Sequence, residues 1–559
     1  MRHSKFLSIT VAAAMVLSSA TISLAAGPEG APPGSGSSTS VSYSGATEIT
    51  SADTQSGQTY DSSTADQNAL LINTNSSVTI ENPTVTKSGD SDGGDNCNFY
   101  GINSAIMAKG GGTTTITGGT VTASAKGANG VFSYGGNGGS NGTAGDRTTV
   151  NISDTTIKTT GDNGGGIMTT GGGVTVAKNL TVTTTGQSSA PIRTDRGGGT
   201  VTVTGGTYTS SGQGSPAIYS TADITVNSAT LNSNKSEGVC IEGQNSITLN
   251  NCTLTASNNA LNGNAQFYDT IMIYQSQSGD AADGTSAFTM TGGNLNSQKG
   301  DVFHVTNTTA IITLKNVVIT NSDSDNVLLS VCDDGWSGAS NIATLNAQDQ
   351  VLDGAILVGS DSTLNLNLSG STTFTGKTSG SITNDKSASI SSSIGTVNVT
   401  IDSGSTWKLT GNSTISSITG SGSIDYNGYT LTVGSTTYSS GDISTVSASN
   451  TSSSKNSSSK SSGATSSATK KVKFKNISKT IKYSKLKKKA VSYSIIKKSG
   501  GGKVTYKVTK GKKKYIKVSK KGKVTLKKGT KKGTYKIKIT VAKKGKYKKT
   551  TKTIKIVVK

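Results

Sequence analysis

TITGGTV, residues 115–121, is a phrase that this chain repeats. Its apolar anchor, Ile116, is followed five positions later by a second apolar residue, Val121, with small polar residues between. The pattern returns as NISDTTI at Ile152, TVTGGTY at Val203, TVNSATL at Val226, TLNNCTL at Leu249 and TMTGGNL at Met290, with weaker copies at Ile80, Val176 and Leu314. Successive anchors lie 36, 36, 24, 27, 23, 23, 41 and 24 residues apart. A base period of 23–24 with insertions means one supersecondary unit stacked many times.

A second apolar strand recurs inside each repeat. It begins at Ile106, Val131, Ile167, Ile192, Ile218, Val239, Ile271, Val302 and Val327. Strands that recur once per coil in the same order must stack in parallel, about 4.8 Å apart. Nine clear coils and three degenerate ones between Leu345 and Val433 then predict a rod of roughly 50–60 Å. The expected fold class is all-β: a parallel β-helix solenoid over residues 45–440, right-handed as parallel crossovers are. Only 31% of the 559 residues are hydrophobic. That suffices for a solenoid, because neighbouring coils bury each other's thin apolar column.

The first 26 residues read as a secretory signal: Arg2 and Lys5, a short apolar run from Phe6 to Leu17, then Ser23-Leu24-Ala25 as a cleavage pattern. No second apolar stretch follows, so the mature chain is expected outside the cell with no transmembrane segment. Residues 27–44 and 441–469 read as Gly/Pro/Ser-rich and Ser/Thr-rich linkers.

Residues 470–559 differ in kind. They hold 36 Lys and no Asp or Glu, while the whole chain is +23, so the remainder is acidic. Lysine alternates with apolar residues in TYKIKITV (534–541) and TIKIVVK (553–559), the period of half-buried strands in an antiparallel sandwich. Clusters at Lys512, Lys513, Lys514, Lys520, Lys521, Lys531 and Lys532 are expected to bind polyanions by counterion release. The expected partner is an anionic cell-wall polymer. Nothing in the segment is suited to reading bases, so no specific nucleic acid is expected.

The repeat phrases resemble those of secreted, pectin-lyase-like β-helix proteins of bacterial surfaces, often called adhesin-like. The run from Tyr515 to Val541 resembles a bacterial immunoglobulin-like domain, with Val518, Gly522 and Val524 before Gly533, Thr534, Tyr535 and Ile537. These resemblances imply a bacterial cell-surface or cell-wall location and a β-sandwich attachment module at the C-terminus. They do not specify a ligand.

If the first position of the second strand faces the core, the next column faces out. That column reads Met107, Phe132, Met168, Arg193, Tyr219, Cys240, Met272, Phe303 and Leu328, and two positions on stand Tyr134, Asp195, Glu242 and Tyr274. A polysaccharide or host glycan could lie along Phe132, Tyr134, Arg193, Tyr219 and Tyr274, with Trp336 on a nearby insertion. Insertions at 86–105, 135–149, 255–270 and 275–287 either belong to that binding face or fold over the stripe and bury it.

Three readings of function stay open. The first is a non-catalytic adhesin-like protein with no cofactor. The second is a polysaccharide lyase with Arg193, Asp195 and Glu242 as its catalytic set and calcium as cofactor, although two or three carboxylates fall short of the six to eight oxygens calcium takes. The third is a structural rod without a specific ligand. Only His304 remains once the signal leaves, so metal and triad chemistry based on histidine has little to work with. Cys240 and Cys252 lie on two strands of one coil, as a disulfide or as two buried thiols.

Overall fold

The structure is a computed structural model. It describes residues 41–137, 145–336, 341–444, 446, 473–474, 479–494, 498–499, 503–510, 514–519, 523–542 and 550–559. The signal segment and most of both linkers lie outside the described residues. The chain divides into two compact units between Ser454 and Lys455.

The first unit is a stack of parallel strands, as the period predicts. Thirteen strands form one sheet, beginning with Gly45–Ile49, Asn68–Asn73 and Ile106–Lys109 and adding one strand per coil. The anchor phrases build a second, 22-stranded sheet. Most phrases are in fact two strands: Thr113–Thr117 and Thr120–Ala123 are the two halves of the phrase at Ile116, whereas the phrases at Leu249 and Met290 run through as single strands, Ser246–Ser257 and Thr285–Lys299. Most coils therefore carry three strands.

The corner between the two halves explains the small polar residues. Position for position, Asn82, Gly118, Asp154, Asn179, Gly205, Ser228, Asn251, Gly292, Asn316, Asp349 and Gly370 all have positive φ, between 49° and 72°. Glycine pays no Cβ penalty there, and Asn and Asp tolerate it better than other residues.

Anchors and second-strand residues converge on one continuous core. Ile106, Val131, Ile167, Ile192, Ile218, Val239 and Ile271 are buried, and so are Ile80, Ile116, Ile152, Val203, Val226 and Leu249. Each such side chain contributes about 2 kcal/mol of transfer free energy. Two sequence assignments shift by one residue. Ala177, not Val176, pairs with Ile152 and Val203, and Val176 is 41% exposed. Ile271 pairs with Phe303, so Phe303 enters the core and His304 takes the place beside Met272. Leu328 is also in the core, and Ser330 continues the outward column beyond His304. Ile443 and Val446, placed by sequence in the linker, are buried in the rod's core.

The second unit has its own core. Strands Lys479–Ile481, Thr550–Val558, Gly533–Val541 and Val504–Lys510 form a four-stranded sheet. Val491–Ser494, Lys523–Leu526 and Ile516–Val518 form a three-stranded one. Ile516, Val524 and Leu526 from the smaller sheet meet Ile537, Ile539, Ile554 and Ile556 from the larger. The pairing is not wholly antiparallel, because Lys479–Ile481 runs parallel to Ile556–Val558.

Candidate functional site

The outward column points away from the main core, but it is not a surface. Met107, Phe132, Tyr134 and Met168 form one separate apolar cluster with Leu71, and Tyr219, Cys240, Met272 and Tyr274 form another with Ala190. Phe132 is 0% exposed and Tyr219 7%. The expected exposed ladder is thus a second buried layer. The reason is the insertions, which fold over it.

The first cover is the 86–105 insertion, with its short helix Asn96–Phe99. Ladder and cover are joined by hydrogen bonds to backbone carbonyls. Asn129 Nδ2 donates to Cys97 O (3.1 Å), and Thr170 Oγ1 donates to Phe99 O (2.7 Å). Tyr100 packs edge-on against Tyr134 with ring centroids 5.8 Å apart, and Tyr43 Oη donates to Tyr100 O (3.0 Å). Further along, the hairpin of Ser381–Thr383 and Ser389–Ser392 holds the 255–270 insertion: Tyr268 N donates to Asp385 Oδ2 (2.7 Å) and Asn384 Nδ2 to Gln266 Oε1 (2.6 Å).

The three charged candidates do come together, but each already has partners. Arg193 Nη2 reaches Asp195 Oδ2 at 3.0 Å, with side-chain exposures of 6% and 8%, and Nη1 donates to Ser188 O at 2.8 Å. Burial raises Asp195 to about 6, against the pull of the Arg193 charge. Glu242 Oε2 accepts from Tyr219 Oη (2.6 Å) and Tyr274 Oη (3.2 Å), while Oε1 accepts from Ser276 and Ser278. Burial also pushes the Glu242 carboxyl above its ordinary range. A guanidinium neutralised by its neighbour and a carboxylate saturated by hydroxyls do not fit a calcium-dependent base. Among the described residues no three His, Cys, Asp or Glu side chains gather to hold a metal.

What remains open is a small cleft of about 40 Å³ at the edge of this layer. Its lining includes Tyr219, Glu237, Asn262, Met272, Tyr274 and Trp336. Trp336 is half-buried and packs on Tyr274 with ring centroids 5.0 Å apart. The cleft is small, with room for only a few waters. An aromatic face beside hydroxyl, amide and carboxyl groups has the chemistry of a sugar contact.

Sequence reasoning passed over one polar network. His304 is fully buried; its Nδ1 lies 2.7 Å from Ser330 Oγ, its ring stacks on Phe267 at 4.6 Å, and its Nε2 is 3.4 Å from Asp334 Oδ2 without hydrogen-bond alignment. Ser330 in turn donates to Asp301, whose carboxyl burial pushes up to about 7. Nearby, both oxygens of buried Asp269 lack a hydrogen-bond partner, and burial holds that carboxyl well above its usual value. The one-residue register shift at Phe303 hid this group, because the repeat phrase assigned the outward position to Phe303.

The disulfide is absent. All four cysteines are free and buried. Cys240 belongs to the outward layer and Cys252 to the core, so a wall of backbone separates the two thiols.

In the second unit Lys514, Lys531 and Lys532 are exposed, as a polyanion site requires. Lys512, Lys513, Lys520 and Lys521 lie outside the described residues. No helix among the described residues is long and apolar enough to cross a membrane. No protein-family model, curated protein or solved structure matches this chain.

Proposed function

We propose that this chain is an exported, non-catalytic β-helix protein of the bacterial surface that presents a glycan- or matrix-binding site, and that its lysine-rich unit holds it on an anionic envelope. The pectin-lyase-like and immunoglobulin-like resemblances belong to this reading. The observation that carries it is the cleft in which half-buried Trp336 leans on Tyr274 beside Tyr219. The two tyrosines are fixed by their shared acceptor, Glu242, so their rings are pre-oriented and little ordering entropy remains to be lost on binding. The lyase reading has less support, because Arg193 is engaged by both Asp195 and Ser188.

The test is a glycan array probed with the full chain at a salt concentration that suppresses the lysine-rich unit, with and without calcium. Selective binding that Trp336→Ala removes while the thermal midpoint stays within a few degrees supports the proposal. A blank array rejects it and leaves a structural rod. Calcium-dependent release of unsaturated sugars, lost on Arg193→Ala, would replace it with the lyase.

A further inference from the structure

The lysine-rich unit has a lattice of charge that its sequence clusters do not show. In the four-stranded sheet, Tyr535, Ile537, Ile539 and Val541 point into the core, so Lys536 and Lys538 point out, and both are exposed. On the neighbouring strand Val504, Tyr506 and Val508 turn towards the core and Lys507 is exposed. The register sets Lys507 directly opposite Lys538, and Lys536 opposite both Lys510 and Lys555. Threonines stand beside them: Thr505, opposite Thr540, and Thr509 are exposed.

Like charges directly opposite on neighbouring strands destabilise a sheet. Here nothing within the unit offsets them, since residues 470–559 contain neither Asp nor Glu. A sheet that keeps such pairs leaves its charge for an external anion. The face offers cations about 5 Å apart across strands and about 7 Å apart along them. It offers no arginine for bidentate recognition of a carboxylate, and no aromatic or amide side chain at these positions for stacking on a base.

We infer that the outer face centred on Lys507, Lys536 and Lys538 is the binding site for a linear phosphate polymer that carries no bases. This rests on the attachment role proposed above and locates it: the sheet face binds, rather than the loop lysines Lys514, Lys531 and Lys532. Lysine ammonium groups act as point charges on successive phosphates, and affinity comes from the counterions released.

The test uses the full chain and long-chain inorganic polyphosphate, followed by fluorescence anisotropy at about 50 mM and about 200 mM salt. One variant removes the face (Lys507→Gln, Lys536→Gln, Lys538→Gln). A control removes equal charge from the loops (Lys514→Gln, Lys531→Gln, Lys532→Gln). The face variant is expected to lose at least about tenfold in affinity and to flatten the log–log salt slope by roughly 2, with the loop control losing less than about threefold. Equal losses in the two variants would overturn the face assignment while leaving charge-driven attachment intact. Absence of polyphosphate binding by the unaltered chain at the lower salt would overturn the attachment role itself. Tighter binding of oligothymidylate at matched phosphate number would overturn the base-free polymer. Should the face variant unfold, amine-reactive footprinting of the unaltered chain decides: polyphosphate must protect Lys507, Lys536 and Lys538 more than Lys531 and Lys532.

Discussion

Arg196 and Asp280 are 84 residues apart in sequence, yet Nε and Nη2 of the arginine both donate to one oxygen of the aspartate, at 3.0 and 2.8 Å. The same guanidinium lies 4.0 Å over the Phe99 ring. One side chain thus clamps two insertions, 86–105 and 275–287, over the outward layer. Asp280 is almost fully buried, whereas the Arg196 side chain is 28% exposed, so the pair is only partly screened.

Arg196→Ala should loosen both covers without unstacking the coils. We expect a loss of about 1–2 kcal/mol, below that of a fully buried pair because of the exposure of Arg196. Hydrogen–deuterium exchange should rise in 95–101 and 275–283 and stay unchanged at the core strand Ile116–Thr117. Unchanged exchange in both covers would reject the clamp.

The chain should be more stable in mild acid than at neutrality. Burial raises Asp301 from 3.8 to about 7 and Asp195 to about 6, and raises Asp269 and Glu242 as well. A folded state with raised carboxyls binds more protons than the unfolded chain. This contribution is fully present below about pH 4 and is lost as pH rises towards 7. For Asp301 alone it is on the order of 4 kcal/mol. Urea midpoints measured from pH 4.5 to 7.5 should fall, and Asp301→Asn should shallow the fall. A flat profile would sink the argument.

How far the sequence carried the reading depends on distance along the chain. The core anchors were legible because Ile116, Ile152 and Val203 repeat within one strand's reach of their neighbours. The corners were legible only as small polar residues between two apolar ones, and not as the places where most phrases divide into two strands. The buried outward layer was not legible, because it depends on contacts such as Arg196 to Asp280 that leave no periodic trace. Glu242 was chosen for its charge, but its environment is set by Tyr219, Tyr274 and Ser276, of which only the tyrosines belong to the ladder. The His304 network was lost to a slip of one position, which exchanges the faces of a strand.

Glu242→Ala should destabilise the fold by roughly 3 kcal/mol, because it strands two buried tyrosine hydroxyls and opens a hole between their rings. Glu242→Gln keeps an acceptor oxygen and should cost less than about 1.5 kcal/mol. Chemical denaturation of the two variants separates these values. Equal losses would show that packing alone, and not the shared acceptor, fixes the tyrosines.

The four thiols should be inert in the native chain. Burial pushes Cys97 up to about 11 and raises Cys240, Cys252 and Cys332, so little thiolate is present near neutrality. Alkylation should proceed only with unfolding, modify all four residues, and leave a melting curve that reductant does not shift. A reductant-sensitive midpoint would reveal a bridge.

The insertions also change how the rod should come apart. A simple solenoid behaves as a one-dimensional chain in which each unit feels only its two neighbours, so ends fray one unit at a time. Here Asp385 is joined to Tyr268 across 117 residues and Arg196 to Asp280 across 84. Such ties couple coils that are not adjacent, and they lengthen the cooperative unit. Unwinding from either end would meet a block that opens together or not at all.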